Sequence, residues 1–153
     1  MHDRPLRILF LCTHNSARSI LAEGIATRLG EGRWIGYSAG SQASGRVNPF
    51  ALEVLRSLGC ETAGMHSKHW NAFSGRNAPK MNYVITVCDN AAGEVCPVWP
   101  GAPVQFHWGF ADPSIAGSDD ASRRLAFQAT ARLITERLEA FMREQSRPRA
   151  ANF

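Results

Sequence analysis

Leu6-Arg7-Ile8-Leu9-Phe10-Leu11 runs directly into Cys12-Thr13-His14-Asn15-Ser16-Ala17-Arg18-Ser19, and Ile20-Leu21-Ala22-Glu23-Gly24-Ile25-Ala26 follows. The first run reads as an apolar strand and the last as a helix. The loop between them has the length that wraps an oxyanion. Backbone N–H groups of a tight loop entering a helix point inward and, with the helix dipole, form a nest for a tetrahedral anion. The same field favours a thiolate, so Cys12 is expected to have a depressed pKa and to be nucleophilic near neutral pH. Arg18 offers a planar fork that can grip two oxygens at once. Ser19 can donate a hydrogen bond to the sulfur and steady its charge. A buried strand-end cysteine beside an arginine is the plainer reading, and it leaves the coincidence of strand, loop length, arginine and helix unexplained.

Outward from this loop, strand and helix alternate. After a helix from about Ser19 to Leu29, Arg33-Trp34-Ile35-Gly36-Tyr37-Ser38 reads as a second strand ending in the small-residue turn Ser38-Ala39-Gly40-Ser41. Asn48 is a helix cap and Pro49 suits the first helical position, with Ala51, Leu52, Val54, Leu55 and Leu58 inward and Gly59 as the stop. A short helical segment follows around Ser67 to Phe73. Asn82-Tyr83-Val84-Ile85-Thr86-Val87 reads as a strand buried on both faces, and Pro103-Val104-Gln105-Phe106-His107 as a fourth strand. A long helix from about Ser118 to Glu144 closes the domain, with Leu125, Ala129, Leu133, Ile134, Leu138 and Phe141 expected on its inner face. The alternation implies an α/β domain with a parallel sheet, helices on both faces, and a ligand beyond the carboxyl ends of the strands. Residues 1–146 are expected to form a single catalytic α/β domain and 147–153 a C-terminal tail.

At 153 residues the chain is long enough for one proper core. Its formal charge of +4 comes from many arginines and few lysines, with Arg132, Arg137, Arg143, Arg147 and Arg149 toward the C-terminus. That excess favours anionic ligands, but no nucleic-acid motif accompanies it. The opening apolar run is too short to cross a membrane. Arg7 interrupts it and Leu11 does not suit a small-residue cleavage site, so a cytoplasmic monomer without membrane or nucleic-acid partners is expected. Four cysteines make no disulfide scaffold at this length.

The loop Cys12 to Ser19 after the first strand, together with Asp112-Pro113 late in the chain, resembles the low-molecular-weight protein tyrosine phosphatase fold. Within that fold, the loop, the cysteines after the third strand, Val47-Asn48-Pro49 and His107-Trp108-Gly109-Phe110-Ala111-Asp112-Pro113 are similar to the thioredoxin-coupled arsenate reductases. The resemblance covers most of the chain. It implies a three-layer α/β sandwich with a central four-stranded parallel sheet, and an oxyanion loop formed by Thr13, His14, Asn15, Ser16, Ala17, Arg18 and Ser19.

The oxyanion loop belongs to both enzyme families, and the cysteine pair separates them. Cys88 and Cys96 bracket Asp89-Asn90-Ala91-Ala92-Gly93-Glu94-Val95. A phosphatase needs one thiolate, because water hydrolyses its phosphocysteine, whereas a reductase must supply two electrons. The resemblance implies that Cys12 attacks arsenate, that Cys88 then attacks the Cys12 sulfur and expels arsenite, and that Cys96 attacks Cys88 to leave a Cys88–Cys96 disulfide. An external thiol reductant, thioredoxin or glutaredoxin, would recycle it, with phosphate and sulfate as competing anions and no tightly bound cofactor. Asp112 is the candidate proton carrier, on a chain that Pro113 stiffens. Phosphatases of this fold commonly place aromatic residues after that pair as a wall for a phenol ring. Here Ser114-Ile115-Ala116 follow.

Two positions depart from the relatives. Many have glycine where His14 stands, and histidine there tolerates an unusual backbone or implies a different one. Some bind a monovalent cation behind the loop through residues matching Asn15, Glu23 and Ser38 plus an aspartate. Lys68 stands near that aspartate's place, and its ammonium beside Glu23 argues against a bound potassium.

Other residues attract attention for less. Cys60 reads as a buried filler, and His66 with His69 lacks further ligands for a metal. Zinc on Cys88, Cys96 and His107 would match no usual ligand spacing. The four tryptophans and Phe50 read as core or rim. Three functions therefore compete: arsenate reductase, low-molecular-weight phosphatase acting on aryl phosphates, and a non-catalytic thiol or oxyanion sensor, which would have no use for Asp112.

Overall fold

The computed structural model describes residues 4–88 and 99–146. Four strands, β1 (Leu6–Leu11), β2 (Trp34–Ala39), β3 (Tyr83–Thr86) and β4 (Val104–His107), form one sheet in the order β2-β1-β3-β4. Every neighbouring pair is parallel, with Ile8 opposite both Gly36 and Tyr83, and Tyr83 opposite Val104. The helices are α1 (Arg18–Gly30), α2 (Pro49–Ser57) and α3 (Asp120–Ser146), with short 3-10 helices at Trp70–Phe73 and Pro113–Ile115.

The central strand explains its own sequence. Ile8, Leu9, Phe10 and Leu11 are all fully buried, because β1 has partners on both edges and a core on both faces. Ile8 and Phe10 enter the larger core with Ile20, Leu21 and Ile25 of α1, Leu55 of α2 and Phe127, Ile134 and Leu138 of α3. Leu9 and Leu11 face the other way, toward Trp70, Phe73, Met81, Val84 and Trp99. Each such side chain contributes roughly 1.5–3 kcal/mol of burial. A continuous apolar run is what a strand enclosed in this way needs.

The sequence places α2 well and α3's inner face less well. Asn48 is extended and its side chain accepts from Phe50 N at 2.9 Å, with Pro49 next. Gly59, at φ +80°, turns the chain away after the helix ends, and Leu58 there is 42% exposed rather than inward. On α3 the buried stripe is Phe127, Thr130, Ala131, Ile134, Leu138, Phe141 and Met142. Leu125, Ala129 and Leu133 point outward, against expectation. Two apolar rows run along this helix, and the row carrying both phenylalanines wins because it fills the space against α1, α2 and the aromatic group of Trp34, Tyr83 and Trp108.

The strand order positions the site. From β1 the chain moves outward to β2, then returns across β1 to lay down β3 on its other side. Connections therefore diverge at the carboxyl ends of β1 and β3, leaving the crevice where ligands of open α/β sheets bind. Cys12 follows β1 and Cys88 follows β3, one on each side of that crevice.

Candidate active site

The loop after β1 is held from outside. Thr13 O accepts from Gln42 N at 2.9 Å, His14 O from Ser44 N at 3.0 Å and from Ser67 Oγ at 3.2 Å, and Ser16 O from Asn48 N at 2.9 Å. With these carbonyls committed outward, the peptide planes turn their N–H groups to the inside. The N-terminus of α1, which begins at Arg18, has no side-chain cap and no acidic residue in its first turn. Its free donors and the positive end of its dipole therefore face the loop uncompensated, as an anion site requires.

Two backbone features make this shape possible. Asn15, rather than His14, takes the left-handed conformation at φ +48°, which asparagine tolerates. The histidine where relatives carry glycine thus needs no special backbone, and it is exposed. Gly40 is the other feature. A Cβ there would lie 2.4 Å from Thr13 O and 2.6 Å from Cys12 O, so only glycine lets the β2 turn come this close.

Behind the loop, fully buried Asn15 donates from Nδ2 to Ser19 Oγ at 2.8 Å and accepts from Lys68 N at 2.8 Å. Ser19 Oγ is the acceptor of this bond, so its own hydroxyl proton is not spent on Asn15, and donation to the Cys12 sulfur remains a proposal. Ser38 Oγ donates to Glu23 Oε1 at 2.5 Å, and Lys68 Nζ lies 3.9 Å from the same oxygen while donating to His66 O at 2.7 Å. Burial pushes the Glu23 carboxyl up, opposed by the Ser38 hydroxyl and the Lys68 charge. Burial lowers Lys68, opposed by Glu23. Asn15, Glu23, Ser38 and Lys68 are thus brought together as expected, with the ammonium inside the group.

The two described cysteines of the site meet. Cys12 and Cys88 are both buried, and no disulfide joins them to each other. Thr13 N donates to Cys88 Sγ at 3.4 Å, and Thr13 Oγ1 is 3.8 Å from the same sulfur. The hydrogen bond with Cys88, followed by burial, pushes the Cys12 thiol up, against the pull of Arg18 and the Thr13 N–H. This overturns the expectation of a depressed pKa. The loop's field is present, but a second sulfur in hydrogen-bond reach opposes a charge on the first.

Arg18 reaches across to the segment after β4. Its Nη1 donates to Phe110 O at 2.8 Å, its Nη2 is 3.6 Å from Asp112 Oδ2, and its Nε is buried without a partner among the described residues. Asp112 Oδ1 accepts from Ser114 N at 2.9 Å and Ser114 Oγ at 2.7 Å, capping the 3-10 helix Pro113–Ile115. Sequence reasoning missed Gly40, the Phe110 carbonyl and Ser114. Of these only Ser114 left a signal, since Asp-Pro-Ser is a helix-start pattern.

Cys96 and the segment before it lie outside the described residues. The discounted residues have local work: His66 Nδ1 is 3.0 Å from Gly64 O, His69 caps the turn at Asn71 N, and His107 Nδ1 is 2.6 Å from Thr86 Oγ1. Cys60 is buried, and all four tryptophans are in the core.

An arsenate reductase of Halalkalibacterium halodurans is 35% identical over 134 residues, spanning 88% of this chain and 93% of the relative. One of Bacillus subtilis is 36% identical with the same coverage. Among solved structures, an arsenate reductase in its reduced state is 27% identical with a TM-score of 0.72, covering 92% of this chain and 99% of the other. The low molecular weight phosphotyrosine protein phosphatase family matches residues 7–150. The loop after β1 lies at the β1/β3 crevice, with Arg18 at its end 3.6 Å from Asp112, within the matched residues, and the chain belongs to the low molecular weight phosphotyrosine protein phosphatase family, within which it is similar to arsenate reductases.

Proposed function

We propose that the protein is an arsenate reductase in which Cys12 is the nucleophile and Cys12, Cys88 and Cys96 form a disulfide relay. The observation that carries this reading is Cys88 Sγ at 3.4 Å from Thr13 N, with Cys12 as its thiol neighbour. A hydrolase that works through one cysteine has no use for a second thiol held against the loop from the end of β3.

Arsenate enters the loop on the N–H groups of residues 13–19, with Arg18 Nε, which has no partner among the described residues, as a further donor. Cys12 starts as a thiol, so its proton must leave as the S–As bond forms. Asp112, beside Arg18, takes that proton and passes it to the departing oxygen, which leaves as water. Cys88 then attacks the Cys12 sulfur. An S–S bond forms, the S–As bond breaks, and its electron pair stays on arsenic, reducing arsenate to arsenite. Cys96 attacks Cys88, frees Cys12, and leaves a disulfide for an external dithiol such as thioredoxin or glutaredoxin. Phosphate and sulfate share the tetrahedral geometry and compete for the loop. The ammonium of Lys68 supplies the positive charge behind the loop, in place of a monovalent cation.

The phosphatase alternative gains no support from the rim. Beside Asp112 stand Ser114 and Ile115, the latter 82% exposed, and neither makes an aromatic wall for a phenol. Supplying the protein with arsenate and a thioredoxin system, and separately with an aryl phosphate, tests the reading. Arsenite formation coupled to dithiol oxidation is expected, with aryl phosphate turnover slower. Aryl phosphate hydrolysis without arsenite would overturn it.

A further inference from the structure

Asp112 is held in an uneven way. Both hydrogen bonds from Ser114 fall on Oδ1, from the backbone nitrogen at 2.9 Å and from the hydroxyl at 2.7 Å, while Oδ2 is the oxygen that lies 3.6 Å from Arg18 Nη2. The backbone N–H alone caps the Pro113–Ile115 turn, which Ala116 N closes on Pro113 O at 3.3 Å. The hydroxyl is surplus to the turn. Of the turn's other two residues, Ile115 is 82% exposed, and Pro113, though buried, fixes only the backbone.

A carboxylate held by one donor can rotate about its Cβ–Cγ bond and exchange its oxygens. Two donors converging on the same oxygen oppose that rotation. We propose that Ser114 is a positioning residue for the reaction: its hydroxyl locks Oδ1 of Asp112 and so presents Oδ2 to Arg18 and the anion loop as the atom that carries the proton. This rests on the arsenate reductase reading for its chemistry, but the geometry can be read without substrate. The proton concerned is that of the Cys12 thiol. As the S–As bond forms and an As–O bond breaks, it moves onto Oδ2 and from there to the departing oxygen, which leaves as water. Oδ1, with two donors already on it, is the poorer acceptor. Fixing Oδ2 also fixes Arg18, whose Nη1 is tied to Phe110 O two residues before Asp112.

The role predicts a split between rate and binding. In full-length Ser114→Ala, single-turnover formation of the thiol–arsenate adduct should slow roughly tenfold, a fraction of what general acid–base catalysis supplies, with the arsenate KM within about twofold of wild type. Ser114→Thr, which keeps the hydroxyl, should restore the rate. Equal rates in wild type and Ser114→Ala, or a KM that rises as the rate falls in both variants, would overturn the proposal.

A substrate-free measurement separates this from the reading beneath it. In the nitrogen-15 spectrum of the whole protein, the Arg18 Nε–H peak, assigned by its loss in Arg18→Lys, should shift or broaden in Ser114→Ala and in Asp112→Asn but not in Ser114→Thr. An unchanged peak in Ser114→Ala refutes the lock. A wild-type protein inert toward arsenate would refute only the proposed activity, and the peak would still decide about Ser114.

Discussion

Cys88 Sγ accepts the backbone N–H of Thr13 at 3.4 Å, so the second thiol occupies a donor of the very loop proposed to hold an anion. In the proposed relay this contact keeps Cys88 beside the sulfur it would attack, while the hydrogen bond between Cys88 and Cys12, with burial, opposes ionisation of Cys12.

Removing either relay thiol should therefore stop turnover at different points. Cys88→Ser is expected to lose multiple turnover with thioredoxin by at least about a thousandfold and to form no Cys12–Cys88 bond, because no sulfur stands ready to displace arsenic. Cys96→Ser should release one arsenite per protein and trap Cys12–Cys88. Peptide mapping after one turnover, with free thiols alkylated first, identifies which sulfurs are joined. Equal multiple turnover in the two variants would rule the relay out.

The raised Cys12 thiol has a consequence for alkaline stability. The folded chain keeps this proton at pH values where the unfolded chain has lost it, so the native state binds more protons and stability falls as pH rises above the ordinary thiol range. Between about pH 8.5 and 10, wild type should lose about 1 kcal/mol more than Cys12→Ser. Cys60, which burial also pushes up, is present in both proteins and cancels. Urea midpoints across that range measure the difference, and parallel curves would mean that Cys12 ionises normally.

What could be read from the sequence was local. The anion loop declared itself because strand, loop and helix adjoin in the chain, and α2 because Asn48, Pro49 and Gly59 mark its ends in place. The misreadings all depend on contacts between distant segments. The state of Cys12 is set by Cys88, and the buried row of α3 by the aromatic residues it meets. A helix with two apolar rows offers two faces, and periodicity alone does not choose between them.

Gly40 is a test of how closely the loop is built. Gly40→Ala would force a methyl to within 2.6 Å of two carbonyl oxygens and to 3.0 Å of Asn15 N, all backbone atoms that no rotamer change can move. The variant should be destabilised by about 1–3 kcal/mol in urea denaturation and should bind sulfate more weakly, because the loop must open to relieve the clash. Wild-type sulfate affinity in Gly40→Ala would mean that the loop tolerates displacement.

Lys68 gives the last prediction. Its backbone N–H holds Asn15 Oδ1, while its ammonium lies 3.9 Å from Glu23 Oε1 and donates to His66 O. Lys68→Ala keeps the first contact and removes the ammonium with its bond to His66 O, leaving a carboxyl that burial already disfavours as an anion without its nearest cation. A monovalent ion can then take the ammonium's place beside the Glu23 carboxylate. Wild-type arsenate turnover should be the same in sodium and potassium chloride at equal ionic strength. Lys68→Ala should be roughly tenfold slower in sodium and recover in potassium, as expected when a mobile cation replaces a fixed one of similar charge. Potassium stimulation of the wild type as large as that of the variant would show that the ammonium does not fill the cation's role.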